Sequence, residues 1–324
     1  MKGDILRLAV PSDGELHEPS LRFLQACGID VERGGGRRYA ADLPAFPGTA
    51  LLFQRAADIP AKVEEGSADL GIVGLDRFLE GCREGGDAFL LIEDLGFGRC
   101  ELALAVPETW VDVSSTADLA DLAVEFREKG RELRVATKYP RLVQRFLVQK
   151  GVTYFTRVQA TGTLESAPTV GYADLIADIV ASGATLRENR LKPLEDGTVL
   201  VSQACLIGNG RHLAQEDKLP RARTLLEPVE AYLAARRSYT VTASLPPGLA
   251  EAARWVKEQA EALGGFLSQG RGVEGGPLVL VVPKERLTEV LERLREVGSG
   301  PVAVSQPTYL FLPQCRAYQR LLDE

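Results

Sequence analysis

The chain has little of what several catalytic chemistries require. Only two histidines, His17 and His212, occur in 324 residues. A histidine-rich metal centre is therefore excluded, and a Ser-His-Asp triad would have to recruit one of the two. The five cysteines (Cys27, Cys82, Cys100, Cys205 and Cys315) are odd in number, lie far apart and form no Cys-x-x-Cys pair. Neither a disulfide framework nor a zinc site is indicated. Positive charge is not in excess, because 38 Lys and Arg stand against 45 Asp and Glu, a net −7. A strongly basic nucleic-acid binder is excluded as the default, although an anionic ligand sees only its own pocket. No apolar run approaches the roughly 18 residues that a membrane helix needs, and the start of the chain lacks a signal peptide's apolar stretch. The expectation is a cytoplasmic protein that meets neither nucleic acid nor membrane.

What is present is an alternation of short apolar runs with amphipathic stretches. Strands are expected at 5–10, 50–53 and 68–73, with helices at 19–27, 59–65 and 76–82. Repeated strand and helix argue for an α/β domain with a largely parallel sheet. A second such unit has strands at 101–106, 133–136 and 153–158, helices at 116–129 and 142–150, an apolar run at 173–181 and a hairpin-like return at 199–207. Ser67-Ala68-Asp69-Leu70-Gly71 echoes Tyr172-Ala173-Asp174-Leu175-Ile176, which suggests two similar lobes. Residues 213–237 are helical in period and form a natural connector. Beyond them come a strand at 239–245, a helix at 247–263 stopped by Gly264-Gly265, strands at 266–268 and 278–282, a helix at 284–297 and a closing strand region at 302–312. That order, β-α-β-β-α-β, is ferredoxin-like.

The richest stretch runs from Tyr172 to Asn189. Asp174 and Asp178 interrupt an apolar run at a spacing of four, which puts both on one face. They are costly to bury unless paired. Ser182, Gly183, Ala184, Thr185 and Leu186 follow as a small-residue loop opening a helix. Backbone N–H groups there can hold a phosphate while the carboxylates accept from ribose hydroxyls. The plain alternative is two solvated aspartates and a helix cap. Four further clusters carry paired readings. Arg55 to Pro60 leads into Asp69-Leu70-Gly71-Ile72-Val73-Gly74, where the glycines allow close approach of a ligand or of packed backbone. Asp58 would cap the helix after it. Glu93-Asp94-Leu95-Gly96-Phe97-Gly98-Arg99-Cys100 reads as a hinge between lobes, with Asp94 available to a ligand. Ala136-Thr137-Lys138-Tyr139-Pro140 ends a strand where open α/β sheets bind ligands, and Lys138 either neutralises a phosphate or is a surface lysine. Gly162-Thr163-Leu164-Glu165-Ser166 is a helix cap or a second anion loop.

Taken in order over residues 5–210, these strings closely resemble ATP phosphoribosyltransferases; Ala-Thr-Lys-Tyr-Pro and Ser-Gly-Ala-Thr-Leu-Arg-Glu-Asn are the most specific. The resemblance implies two lobes of the type II periplasmic-binding kind, at 1–95 with 190–225 returning and at 96–189, then a connector helix at 226–237. It implies that 238–324 is the regulatory domain of the family's long form, sensing histidine as a feedback inhibitor, and that the chain assembles as a dimer or hexamer. It assigns Asp174, Asp178 and Ser182–Leu186 to phosphoribosyl pyrophosphate. Gly14, Arg55, Asp69, Gly71, Asp94, Gly98 and Lys138 would border ATP. Mg²⁺ would neutralise the departing pyrophosphate, with no protein ligands named. The sequence departs from the family where a basic Lys-Gly-Arg-Leu loop is usual. Asp13-Gly14-Glu15-Leu16 stands there, with Arg33, Arg37, Arg38, Arg55 and Arg99 as candidates to compensate. Two other readings remain open at this point: a non-catalytic two-lobed binder, and a phosphoribosyltransferase for another base.

Overall fold

The computed structural model describes residues 5–32, 39–159, 164–180, 183–244, 258, 261–262, 265–270 and 277–323. Ser182, Thr163, Arg33, Arg37, Arg38 and nearly all of the helix expected at 247–263 lie outside the described residues. Two compact units result, one built from 1–23 and 30–219, the other from 24–29 and 220–323.

The first unit contains two mixed sheets. Its chain runs β1 (Leu6–Pro11), α1 (His17–Ala26, whose last turn belongs to the second unit), β2 (Ala40–Asp42), β3 (Thr49–Gln54), α2 (Ile59–Glu64), β4 (Leu70–Gly74), α3 (Leu75–Gly81) and β5 (Ala88–Ile92). It continues with β6 (Cys100–Pro107), α4 (Thr116–Glu128), β7 (Leu133–Thr137), α5 (Pro140–Gln149), β8 (Phe155–Gln159), α6 (Ala167–Val170), β9 (Leu175–Val180), α7 (Ala184–Glu188), β10 (Leu191–Ser202), β11 (Ala204–Asn209) and α8 (Gly210–Leu213). The first sheet is ordered β2-β3-β1-β4-β11-β5 and the second β10-β6-β9-β7-β8. Strands β2 and β5 are additional to the expected set.

The two sheets share one plan. In the first, β1 lies parallel to β3 and β4, and β11 joins β4 antiparallel. In the second, β7 lies parallel to β8 and β9, and β6 joins β9 antiparallel. Each antiparallel joiner enters from the other lobe's chain, so the order β3-β1-β4-β11-β5 repeats as β8-β7-β9-β6-β10. The echoing segments therefore occupy equivalent strands, β4 and β9.

Two connections cross between the lobes side by side. Leu95 N–H donates to Ala204 O and Ala204 N–H to Phe97 O, both at 2.9 Å. Residues 93–100 thus connect the first sheet to the second, where a hinge is expected, and the return differs from expectation. Residues 199–207 are not a hairpin: β10 pairs with β6 in the second sheet, and the chain changes lobe only at Gln203. The second lobe thus extends to Ser202, past the expected limit at 189. Its twelve-residue β10 begins at Leu191, whose buried face the polar residues between obscure in sequence.

Local chemistry explains several boundaries. Ser115 and Asp118 form a reciprocal capping box at α4, and the Ser114 N–H, then the Ser115 hydroxyl and N–H, hold the Asp118 carboxyl down at about 2. Asp58, by contrast, makes no side-chain cap to α2. Pro140 sits at the first position of α5, where its missing N–H costs nothing. All five cysteines are free, and burial pushes Cys27 up to about 12 and Cys82 to about 11, as packing rather than reactive thiols require.

In the second unit, α9 (Leu219–Arg237) starts seven residues before the expected connector helix. It leads to β12 (Ser238–Ser244), β13 (Phe266–Gly270), β14 (Pro277–Pro283), α10 (Leu287–Glu296), β15 (Val302–Ser305) and α11 (Arg316–Asp323). The sheet is β13-β14-β12-β15 with every pair antiparallel. Val290 and Leu294 of α10 join Val241, Ala243, Leu278, Leu280 and Val282 in its core. Strand β15 stops at Ser305, short of the expected 312, because Pro307 and Pro313 supply no ladder donor. Helix α11 is additional, its start capped by Glu230 accepting from Ala317 N–H at 2.7 Å. Among the described residues no helix is long and apolar enough to cross a membrane.

Candidate active site at the strand ends of the two lobes

Parallel strands of open α/β sheets present ligand sites at their carboxyl ends. In lobe one those ends carry Asp13-Gly14-Glu15 after β1, Arg55 after β3 and Asp76-Arg77 after β4. In lobe two they carry Lys138 and Tyr139 after β7 and Asp178 near the end of β9.

A buried network crosses between them. Tyr139 O–H donates to Asp76 Oδ2 at 2.6 Å, and Ser202 O–H donates to Asp76 Oδ1 at 2.7 Å. The Arg77 guanidinium lies 4.4 Å from the centre of the Tyr139 ring and 3.8 Å from Asp76. Burial, and then the Asp76 charge and hydrogen bond, push the Tyr139 phenol well up, so it stays a donor at neutral pH. Sequence reasoning placed Tyr139 in a strand-end cluster and Asp76 at a helix start but gave neither a role. Their meeting is a contact between residues 63 apart.

Asp178 is half-buried beside this network, and its Oδ1 accepts from Ile179 N–H at 2.8 Å. Burial raises its carboxyl above the ordinary range, Glu165 reinforces the rise, and Lys138 and Arg77 oppose it. An acceptor within the field of two cations suits a polyhydroxy, phosphorylated ligand. Beyond it, Gly183 adopts φ +69, which a side chain would strain, and opens α7 with Ala184 and Thr185 exposed. Leu186 is different. Its side chain is buried with Ile176, Leu164 and Leu191, so only its backbone could face a ligand.

Several expected residues lie elsewhere. Asp174 precedes β9 and accepts from Arg134 N–H (2.8 Å), Arg134 Nε (3.1 Å) and Arg131 Nη2 (3.0 Å). Four residues of strand are about 13 Å, so Asp174 and Asp178 share a face but not a site. Asp69 precedes β4 in the same way. It accepts from Arg7 N–H and from the buried Lys218 ammonium, both at 2.8 Å. Neither aspartate is free for ribose or ATP; each locks the opposite end of its sheet. Gly71 is a packing glycine, because a Cβ there would come within 2.7 Å of Ile59 and 3.0 Å of Val63. Asp94 is engaged by Gly96 N–H (2.7 Å) and by Arg99 (3.3 Å), so it closes the hinge turn. Gly98, at φ +68, packs against Leu16 and Ala204. Gly14 and Arg55 are exposed at neighbouring strand ends, beside the acidic Asp13 and Glu15.

The comparisons with known proteins bear directly on this arrangement. A family profile described as ATP phosphoribosyltransferase matches residues 55–231. The chain belongs to the ATP phosphoribosyltransferase family. An ATP phosphoribosyltransferase joins the phosphoribosyl group of phosphoribosyl pyrophosphate to ATP, the first step of histidine biosynthesis, and that is this chain's activity. The chain is 37% identical to ATP phosphoribosyltransferase 2, chloroplastic, of Arabidopsis thaliana, over 98% of its own length and 80% of the relative's. It is 44% identical to the ATP phosphoribosyltransferase of Brucella melitensis, over 63% of its own length and 90% of the relative's. Among solved structures, an ATP phosphoribosyltransferase (HisG:HisZ) complex from Thermotoga maritima is 26% identical with a TM-score of 0.53, covering 70% of this chain and 98% of that one. The bacterial relatives thus leave about a third of this ATP phosphoribosyltransferase unmatched, and the plant relative does not.

Proposed function

We propose that phosphoribosyl transfer takes place at the carboxyl ends of β7 and β9, with phosphoribosyl pyrophosphate held by Asp178 and the loop through Gly183, Ala184 and Thr185. The observation that carries this is the half-buried Asp178 at the end of β9, whose carboxylate the charges of Lys138 and Arg77 favour, followed by Gly183 in a left-handed backbone at the start of α7. The new bond joins adenine N1 to ribose C1 as the bond from C1 to pyrophosphate oxygen breaks. Adenine N1 has a free lone pair, so alignment and charge stabilisation matter more than a strong base. Asp178 orients the ribose hydroxyls and offsets positive charge growing at C1. Backbone N–H groups of the loop, with the Ser182 and Thr185 hydroxyls, hold the 5′-phosphate. Lys138 meets the departing pyrophosphate. On the acceptor side, Gly14 lines the turn after β1, and Arg55 is the exposed cation to meet the triphosphate beside Asp13 and Glu15.

Mg²⁺ fits this site as a substrate-borne ion. Among the described residues no three His, Cys, Asp or Glu side chains cluster to hold a metal. Asp178, with Glu165 near enough to raise its carboxyl, would offer hard oxygen donors, and Mg²⁺ commonly takes one or two carboxylates plus phosphates and waters. When bound it neutralises phosphate charge.

The lobes are read as type II periplasmic-binding halves, supported by the repeated strand order. The second unit is read as a ferredoxin-like module, supported by its all-antiparallel order of the fourth, first, third and second strands. We assign it to histidine feedback, in a cytoplasmic homo-oligomer, dimer or hexamer. The extra third of the chain, absent from the match to the Brucella relative, supports a separate function there. The test incubates the chain with ATP, phosphoribosyl pyrophosphate, Mg²⁺ and pyrophosphatase, and follows phosphoribosyl-ATP by absorbance with and without histidine. Product suppressed by histidine, with suppression lost on removing residues 238–324, is expected. Histidine inhibition that survives the removal overturns the sensor assignment.

A further inference from the structure

Helices α3 of lobe one and α5 of lobe two exchange caps. Pro140 has no N–H, and Val143 N–H already bonds Tyr139 O at 3.0 Å. The free donors at the start of α5 are therefore Arg141 and Leu142, and no side chain of the helix's own N-cap reaches them. Glu80 of α3 takes both, accepting from Arg141 N–H at 2.9 Å and Leu142 N–H at 3.0 Å. Its charge also sits at the positive end of the α5 dipole. In return, the Arg141 guanidinium donates to Glu80 O at 2.9 Å and Cys82 O at 2.8 Å, carbonyls at the finish of α3.

Glu80 lies one helical turn after Asp76, so both carboxylates share a face of α3. Asp76 grips Tyr139 while Glu80 grips the two backbone donors that follow it. The other end of α3 is tied to the lobe crossover, where Leu75 N–H donates to Gln203 O at 2.9 Å. Helix α3 is thus an arm from the hinge to α5. Lys138 and Tyr139, the second of which donates to Asp76, stand directly before the gripped segment.

We propose that Glu80 and Arg141 form an inter-lobe latch that sets the width of the cleft, making them positioning residues for phosphoribosyl transfer. On the reading proposed above, on which this inference rests, the ribosyl donor is held in lobe two, whereas the acceptor meets Gly14 and Arg55 of lobe one. Releasing the latch should therefore misplace the two substrates relative to each other while leaving donor binding intact. A displacement of about 1 Å can cost on the order of a hundredfold in rate.

The experiment compares the full chain with E80Q, R141A, R141K and the double variant E80Q/R141A, using steady-state kinetics and amide hydrogen exchange at residues 141 and 142. In E80Q and R141A we expect kcat to fall ten- to hundredfold, KM for phosphoribosyl pyrophosphate to stay within about twofold, and the two amides to lose protection. The double variant should be no worse than the poorer single one, because the pair acts as a unit. R141K should recover part of kcat, since an ammonium can still donate to the two carbonyls. A brace that serves stability alone would lower Tm in E80Q and R141A and leave kcat and both KM values within twofold; that result overturns the latch. So does a donor KM that rises in step with the fall in kcat, or a double variant in which the two losses multiply. If R141A fails to fold, E80Q and R141K decide the matter by the same readings.

Discussion

The two lobes use one device at the start of their third parallel strand and different devices at its end. In lobe one Asp69 accepts from Arg7 N–H of the neighbouring strand, and in lobe two Asp174 accepts from Arg134 N–H, both at 2.8 Å. The partners beyond that bond differ. Asp69 is fully buried against an equally buried Lys218, whereas Asp174 faces the half-exposed guanidiniums of Arg131 and Arg134. At the far ends the lobes diverge altogether: Asp76 turns inward to hold Tyr139, and Asp178 stays half-buried beside a glycine turn. Residues that repeat between the lobes hold sheets together, and residues that do not repeat are where substrate chemistry is proposed. An internal repeat in a two-lobed protein is thus a guide to scaffold, not to site.

That comparison can be broken from its strongest point downward. Replacing Asp69 with Ala should leave Lys218 buried and uncompensated, a loss of about 3–5 kcal/mol in urea unfolding. Asp174→Asn, whose cationic partners reach water, should lose only about 1–2 kcal/mol and leave KM for the ribosyl donor unchanged. Equal losses would show that the two clamps are the same in energy as well as in geometry. A donor KM raised by Asp174→Asn would return that residue to the site.

Asp178→Asn should lower kcat/KM about a hundredfold, roughly 2.7 kcal/mol of transition-state stabilisation. Its effect on stability should have the opposite sign to that of Asp69. Asp178 has its folded carboxyl raised, so the native state binds the proton more tightly than the unfolded chain does. That burden is absent below the ordinary carboxylate range and complete once pH exceeds the folded value. At neutral pH the neutral amide should therefore match or raise Tm. Unchanged kinetics would remove Asp178 from the site. Gly183→Ala should cost about 1–2 kcal/mol for its left-handed backbone and weaken donor binding, whereas the same change at Gly130, a helix stop outside the site, should alter stability alone.

The smallest effect concerns acid. Asp196 accepts from the Thr116 hydroxyl at 2.5 Å, from Thr116 N–H at 2.7 Å and from Lys150 at 3.1 Å, which hold its carboxyl down at about 2. A lowered carboxyl stabilises the fold above its ordinary value of about 3.9 and loses that contribution as pH falls through 2. The urea midpoint of Asp196→Asn should accordingly depend less on pH between about 4 and 2 than that of the parent chain. Identical slopes would show that the Thr116 contact persists unfolded or carries no proton linkage.

Periodicity in the sequence determined most elements of the first unit to within a residue or two, because apolar spacing reports which face of a strand or helix is buried. Strings such as Ala-Thr-Lys-Tyr-Pro and Ser-Gly-Ala-Thr-Leu-Arg-Glu-Asn determined the family, because they are ordered and specific. Spacing alone put Asp174 and Asp178 on one face but could not show how far apart they stand, since carboxylates four residues apart on a strand sit at its two ends. It also made 199–207 a hairpin, since nothing local distinguishes a turn within one sheet from a crossing between two. Only the tertiary structure decided that β4 and β9 are equivalent, that Asp69 meets Lys218, that Asp76 meets Tyr139 and that Glu80 caps a helix of the other lobe. Those partners lie 61 to 149 residues apart. Each pairing is made by strand order and helix packing, which the pattern within any single segment does not encode.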